Sequence, residues 1–167
     1  MLSLFKQKPV LKELIPNQFV DIHSHVLPGI DDGAKSIDDT ISLLSQMKEM
    51  GFETVITTPH IITNIWNNTE SSIRDKHIET SNLVSETIVA TNFKAAAEYM
   101  IDSFFLKRLT SEKLLTIKDN YILIEMSYLS PPIQLYDILF EIGEGLELLP
   151  NILDFKADKE VTFNNLL

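Results

Sequence analysis

The sequence predicts an α/β fold built on a parallel sheet, and three observations point there. Short apolar or β-branched runs alternate with segments of helical period, the pattern of strand–helix–strand units. The segment between the first two runs carries a helix start, Ser36-Ile37-Asp38-Asp39, and a helix stop, Gly51. Four successive runs lead into a histidine or an acid: His23 and His25, then His60, Glu98 and Glu125. In a parallel array all strand C-termini share one face, and that face carries the loops and the chemistry.

Taken in order, residues 1–17 are a short lead-in, with one helical turn in Val10–Ile15 before Pro16. Phe19-Val20 then runs through Asp21-Ile22 into His23, a short buried strand. Ile37, Ile41, Leu44, Met47 and Met50 recur at helical spacing and are core candidates. Phe52–Thr58 is the second strand and runs into Pro59-His60. Ile61–Asn68 reads as a polar loop bearing an aromatic residue, and 69–90 as a longer helix with Ile73, Leu83, Val84 and Ile88 inward. His77 falls inside that helix, far from any strand end, and reads as an exposed helical histidine. Phe93–Met100 is a third strand leading to Glu98, whose alanines suit a tight interior. Residues 102–114 read as a short helix and a loop. Tyr121–Met126 is a fourth strand with Glu125 at its end, and Ser130-Pro131-Pro132 opens a helix through Phe140.

The densest chemistry lies in Asp21-Ile22-His23-Ser24-His25-Val26-Leu27-Pro28-Gly29-Ile30-Asp31-Asp32-Gly33-Ala34. Imidazoles at i and i+2 of a strand face one side, so one metal ion can be held by both. The Pro-Gly and Asp-Asp-Gly turns fold the chain back and bring an acid to the same place. Histidine and carboxylate together suit zinc, manganese or iron; carboxylates alone would suit magnesium or calcium. Several such ligands suggest more than one ion, a site able to make hydroxide at neutral pH and to clamp phosphoryl oxygens.

Composition narrows the classes. The chain has 167 residues, suited to one domain. It is 44% hydrophobic and 23% charged, a soluble globular profile. With 24 acids against 14 bases, its net charge of −10 disfavours nucleic acid as a partner, though bound metal can still draw an anionic substrate. There is no cysteine, so neither a disulfide nor a thiolate nucleophile is available. No run is long enough to span a membrane, and the N-terminus lacks an apolar signal core, so a cytoplasmic protein is expected.

His23–Ala34, Thr58-Pro59-His60, Ala97-Glu98-Tyr99 and Ile122–Ser127 together resemble the polymerase-and-histidinol-phosphatase (PHP) superfamily. More narrowly, they resemble its bacterial manganese-dependent protein-tyrosine phosphatases of capsular and exopolysaccharide synthesis, over about Phe19 to Glu141. The resemblance implies a distorted (β/α)7 barrel, similar to a TIM barrel, with up to three ions. Manganese is the implied metal, with iron, zinc or magnesium as alternatives. It implies that His23 and His25 bind a first ion with Glu98 bridging, Asp32 and His60 a second, and Glu125 with Glu98 a third. The implied reaction is phosphotyrosine hydrolysis by a metal-bridging hydroxide, without a phosphoenzyme. The implied substrate is a phosphotyrosine protein, a bacterial tyrosine kinase of polysaccharide export.

The family continues with a His-Pro-Glu-Arg motif and an Asp-x-His motif. Here no histidine follows His77 and no arginine follows Arg108. The resemblance therefore implies a chain carrying the first half of the barrel, with 142–167 a divergent tail and with self-association favoured by the open edge. Asp154 and Asp158 are substitute ligand candidates in that tail. A non-catalytic remnant that binds metal weakly or serves as an interaction piece is the alternative. A histidinol-phosphatase-like phosphoesterase is a third reading, disfavoured by the Leu27–Ala34 run.

Overall fold

A computed structural model describes residues 10–16, 18–85, 92–143 and 147–150. Its architecture is mixed α/β, and every strand pair in it is parallel. The helical turn α1 (Leu11–Leu14) precedes β1 (Phe19–Asp21), as the sequence indicates. Helix α2 (Ile37–Met50) starts at Ser36, whose hydroxyl accepts from Asp39 N–H while the Asp39 carboxylate accepts from Ser36 N–H. It stops at Gly51, where φ of 104° is a left-handed conformation that glycine adopts without steric cost. Leu44 is fully buried on this helix, with Ile37, Ile41 and Met47 packed around its cluster.

The second and third strands differ from expectation in one respect that builds the site. Each is broken. β2 (Phe52–Thr57) and β3 (His60–Ile61) are separated by Thr58-Pro59; β4 (Asn92–Ala95) and β5 (Glu98–Met100) by Ala96-Ala97. Proline has no N–H to give the ladder, so Pro59 is a natural break point. The neighbouring strand breaks in step: Ala96 N donates to Thr57 O (2.8 Å) and Glu98 N to Pro59 O (3.1 Å). Both chains thus leave a sheet of order β1-β2-β4 and enter one of order β3-β5-β6-β7. His60 and Glu98 therefore open strands at this kink rather than ending them, and they are direct partners in register. Ala96 and Ala97 are completely buried there, which is where small side chains are needed. β6 (Tyr121–Glu125) does end at Glu125.

Helix α3 (Glu70–Ser85) buries Ile73, Thr80 and Val84, a stripe at seven- and four-residue steps. Leu83 lies off that stripe and is half exposed, contrary to expectation, and Ile88 lies outside the described residues. His77 is not an exposed histidine either. It is half-buried, its ring centroid 4.9 Å from that of Phe93 and its Nε2 3.2 Å from Phe93 O, because it sits on the side of α3 that meets β4. Helix α4 (Phe105–Ser111) buries Phe105. Helix α5 (Leu135–Gly143) begins later than the Pro131-Pro132 signal suggests. A residue before proline is pushed out of the α region, so Pro131 cannot start the helix. Ile133 is left wholly exposed, while Ile138 and Ile142 are buried. In the expected tail, Glu147–Pro150 forms β7, parallel to β6, a strand the sequence reading does not contain. Asp154 and Asp158 lie outside the described residues.

Candidate metal centre

The loop after β1 is fixed to the kink before its side chains converge. Thr57 Oγ1 accepts from Val26 N–H (3.1 Å) and donates to Ser24 O (2.9 Å), and Thr58 N donates to Ser24 O (2.7 Å). From α2, Thr40 Oγ1 donates to Val26 O (2.7 Å). These three threonines are completely buried, so each polar group is spent on the loop backbone. The loop then closes on itself, with Ala34 N donating to His25 O (3.0 Å) and Gly29 N to Ala34 O (2.8 Å).

Glu98 is the hub. Its Oε2 lies 3.2 Å from His23 Nε2, 3.4 Å from His25 Nε2 and 3.2 Å from His60 Nδ1, with Glu98 only 1% exposed. Glu125 Oε2 lies 3.4 Å from His60 Nδ1, and Asp32 Oδ1 3.6 Å from His60 Nε2. All six residues singled out in the sequence are thus brought together. Their ligand atoms form three overlapping groups, each within 4.8 Å: His23, His25, Glu98; His25, Asp32, His60; and His60, Glu98, Glu125.

The electrostatics of the metal-free chain are those of an anionic cradle. Burial alone would lower the His25 pKa, but its hydrogen bonds to Asp31 and Glu98 and their charges win, raising it to about 10. Burial alone would raise that of Glu98, but its histidine neighbours hold it at about 2. Glu125 is raised, first by burial and then by the charge of Glu98 beside it. The protonated His25 imidazole occupies the role a cation would take. The sign of the pH dependence follows. The stabilisation from His25 is complete below its ordinary 6.5 and is lost as pH rises through about 10. That from Glu98 is complete above its ordinary 4.5 and is lost as pH falls through about 2. Stability against thermal unfolding in chelator is therefore expected to be greatest between about pH 4.5 and 6.5. A metal needs neutral imidazoles, so the rise in Tm on adding manganese should grow with pH across the neutral range. A manganese effect independent of pH would contradict it.

The donor set fits a metal. His60 Nδ1 and Glu125 Oε2 are buried and make no hydrogen bond, although they lie 3.4 Å apart. Two buried polar atoms left side by side without a hydrogen bond are costly unless a cation satisfies them. Mixed imidazole and carboxylate donors suit manganese, iron or zinc.

Two positioning residues escaped the sequence reading. Asp31, 3% exposed, accepts from His25 Nδ1 (2.7 Å), from Gly33 N (2.9 Å) and from His60 N (3.1 Å). Holding the proton on Nδ1 frees His25 Nε2 as a ligand atom. The carboxylate is held below its usual range despite burial, chiefly by the His25 hydrogen bond. Asn68 donates to both Ile30 O (2.9 Å) and His60 O (2.8 Å), tying the metal loop to β3. The Asp-Asp pair was a signal for the first; nothing in the sequence marks the second. Asp31→Asn is expected to weaken manganese binding about 10- to 100-fold by calorimetry, the usual cost of losing an outer partner.

A parallel α/β framework thus brings imidazole and carboxylate donors together at its strand kinks, a candidate metal centre. Residues 19–141 match the family model described as capsular polysaccharide synthesis, CpsB/CapC, and the chain belongs to that family. It is 28% identical over 110 residues to the tyrosine-protein phosphatase YwqE of Bacillus subtilis, a match covering 65% of this chain and 43% of YwqE. It is 28% identical over 111 residues to the tyrosine-protein phosphatase CpsB of Streptococcus pneumoniae, covering 65% and 45%. Its fold superposes with a TM-score of 0.72 and 25% identity on a solved chain from work on YwqE and CpsB, described as unique metal-dependent tyrosine phosphatases. That match covers 79% of this chain and 54% of the other. The chain therefore spans about half the length of the relatives it matches. No helix among the described residues is long and apolar enough to cross a membrane.

Proposed function

We propose that this chain forms the metal-binding face of a protein-tyrosine phosphatase and hydrolyses phosphotyrosine to tyrosine and inorganic phosphate. The observation that carries the reading is the convergence of three imidazoles on Glu98, with His60 Nδ1 and Glu125 Oε2 left without hydrogen bonds. In this reading His23, His25 and Glu98 hold one cation, Asp32 and His60 with His25 a second, and Glu125 with Glu98 and His60 a third. Manganese is the proposed metal. Divalent cations held there supply Lewis acidity toward phosphoryl oxygens and lower the pKa of water. The chain supplies the rest. Asp31 fixes the His25 tautomer, Asn68 holds His60 by its carbonyl, and Thr57 at the kink ties down the backbone of the loop that carries His25. Without cysteine, the chain offers no thiolate to form a phosphoenzyme.

The strand arc is read as the first half of a distorted barrel, supported by its 54% coverage of the solved relative. A tyrosine kinase of polysaccharide export in the cytoplasm is the proposed physiological substrate. The second reading is a metal-binding piece that does not turn over substrate. Hydrolysis of a phosphotyrosine peptide by the purified chain with manganese, beside His23→Ala, separates the two. Phosphate release that disappears in the variant supports the phosphatase; release at the variant's level in both favours the second reading.

A further inference from the structure

Resting on the phosphatase reading, we propose that a groove beside the centre holds the peptide next to the phosphotyrosine, and that Lys35 there pairs with an acidic side chain of the substrate. The groove, of about 330 Å³, runs between the metal loop and α2. His25, Gly33, Ala34 and Lys35 line it from the loop, and Ser42 and Leu43 from the helix. His25 belongs to both the groove and the centre, so the two spaces adjoin.

The charge pattern singles out Lys35. Among the residues that line the groove, Lys35 is the one lysine or arginine. Its Nζ donates to Asp31 O (3.2 Å), so the ammonium is held at the loop that also carries His25. A backbone carbonyl does not neutralise the ammonium, although the Asp39 carboxylate in the same groove shares its field. Asp39 also lines the groove, but its Oδ2 is engaged by Lys35 N–H and Ser36 N–H at the start of α2. Leu43, 38% exposed, adds an apolar surface for the substrate chain. An acidic neighbour of the phosphotyrosine finds a cation here, whereas a basic neighbour meets the like charge of Lys35.

The test is fluorescence anisotropy on the full chain loaded with manganese, with ligands in which a phosphonate replaces the phosphate ester so that binding is read without turnover. Three ligands are compared: a glutamate-flanked peptide, its glutamine-flanked counterpart, and the free phosphonate amino acid. The glutamate peptide should bind about 3- to 10-fold tighter than the glutamine peptide, the range of a partly exposed charge-assisted pair. That ratio should fall to about one in Lys35→Gln, return in Lys35→Arg, and shrink with added salt. A ratio near one in the wild type, or one unchanged in Lys35→Gln, overturns the proposal while leaving the phosphatase reading intact. If no phosphonate binds, with or without flanks, the phosphatase reading fails and takes this inference with it.

Discussion

Glu98→Gln is expected to abolish retention of manganese. One oxygen of Glu98 stands within 3.4 Å of a nitrogen on each of His23, His25 and His60, and it takes part in two of the three ligand groups. The substitution keeps the side chain's shape but removes the charge that bridges those groups. Loss of an outer partner alone costs about 10- to 100-fold in metal affinity, so losing this hub should cost more than about 100-fold. Calorimetric titration with manganese reads the loss directly. A second effect separates charge from packing. His25 is held near 10 partly by Glu98, so its pKa should fall in the variant, visible as a shifted imidazole titration by NMR. Metal affinity within a factor of a few of wild type would remove Glu98 from the centre.

Gly33→Ala should be nearly as damaging although the residue carries no ligand atom. A Cβ at Gly33 would lie 2.1 Å from His25 O and 2.4 Å from His25 Cβ, far inside contact distance. Neither atom is the end of a flexible side chain, so the loop itself must move. That movement breaks the Ala34 N–H bond to His25 O and the Gly33 N–H bond to Asp31, which together aim His25. Expected are a loss of about 1–3 kcal/mol in unfolding free energy, the usual cost of overpacking, and weakened metal binding in the remaining folded protein. Chemical denaturation and calorimetry on the same sample check both. An Ala34→Gly control removes a side chain from the same turn without adding a contact, and it should leave metal binding far closer to wild type.

Much of this was legible in the sequence, for identifiable reasons. The Ser36 cap and the Gly51 stop depend on local chemistry within a few residues, and α2 lies between them as read. The site residues came from a pattern, imidazole or acid at each strand's end, which needs only the parallel arrangement to converge. What failed needed long-range information. Ala96-Ala97 breaks its strand only because Pro59 breaks the neighbour, so Glu98 opens β5 instead of closing a strand. Asp31 and Asp32 are chemically identical, yet one is buried behind His25 and the other stands at the rim with its side chain 67% exposed. Only the turn's geometry decides which. Leu83 lies on a helix face set by partners distant in sequence, Ile133 lies before α5 begins, and both are exposed. β7 pairs with β6 across 21 intervening residues and carries no turn signal of its own.

The most direct measurement is metal stoichiometry. The purified chain is stripped with chelator, dialysed against micromolar manganese, and analysed for metal and protein by mass spectrometry. The ligand groups, sharing His25, His60 and Glu98, call for more than one ion per chain, falling below one in Glu98→Gln. A chain that retains no manganese above the variant would contradict the centre, and with it the reading of this protein as a metal-dependent phosphatase.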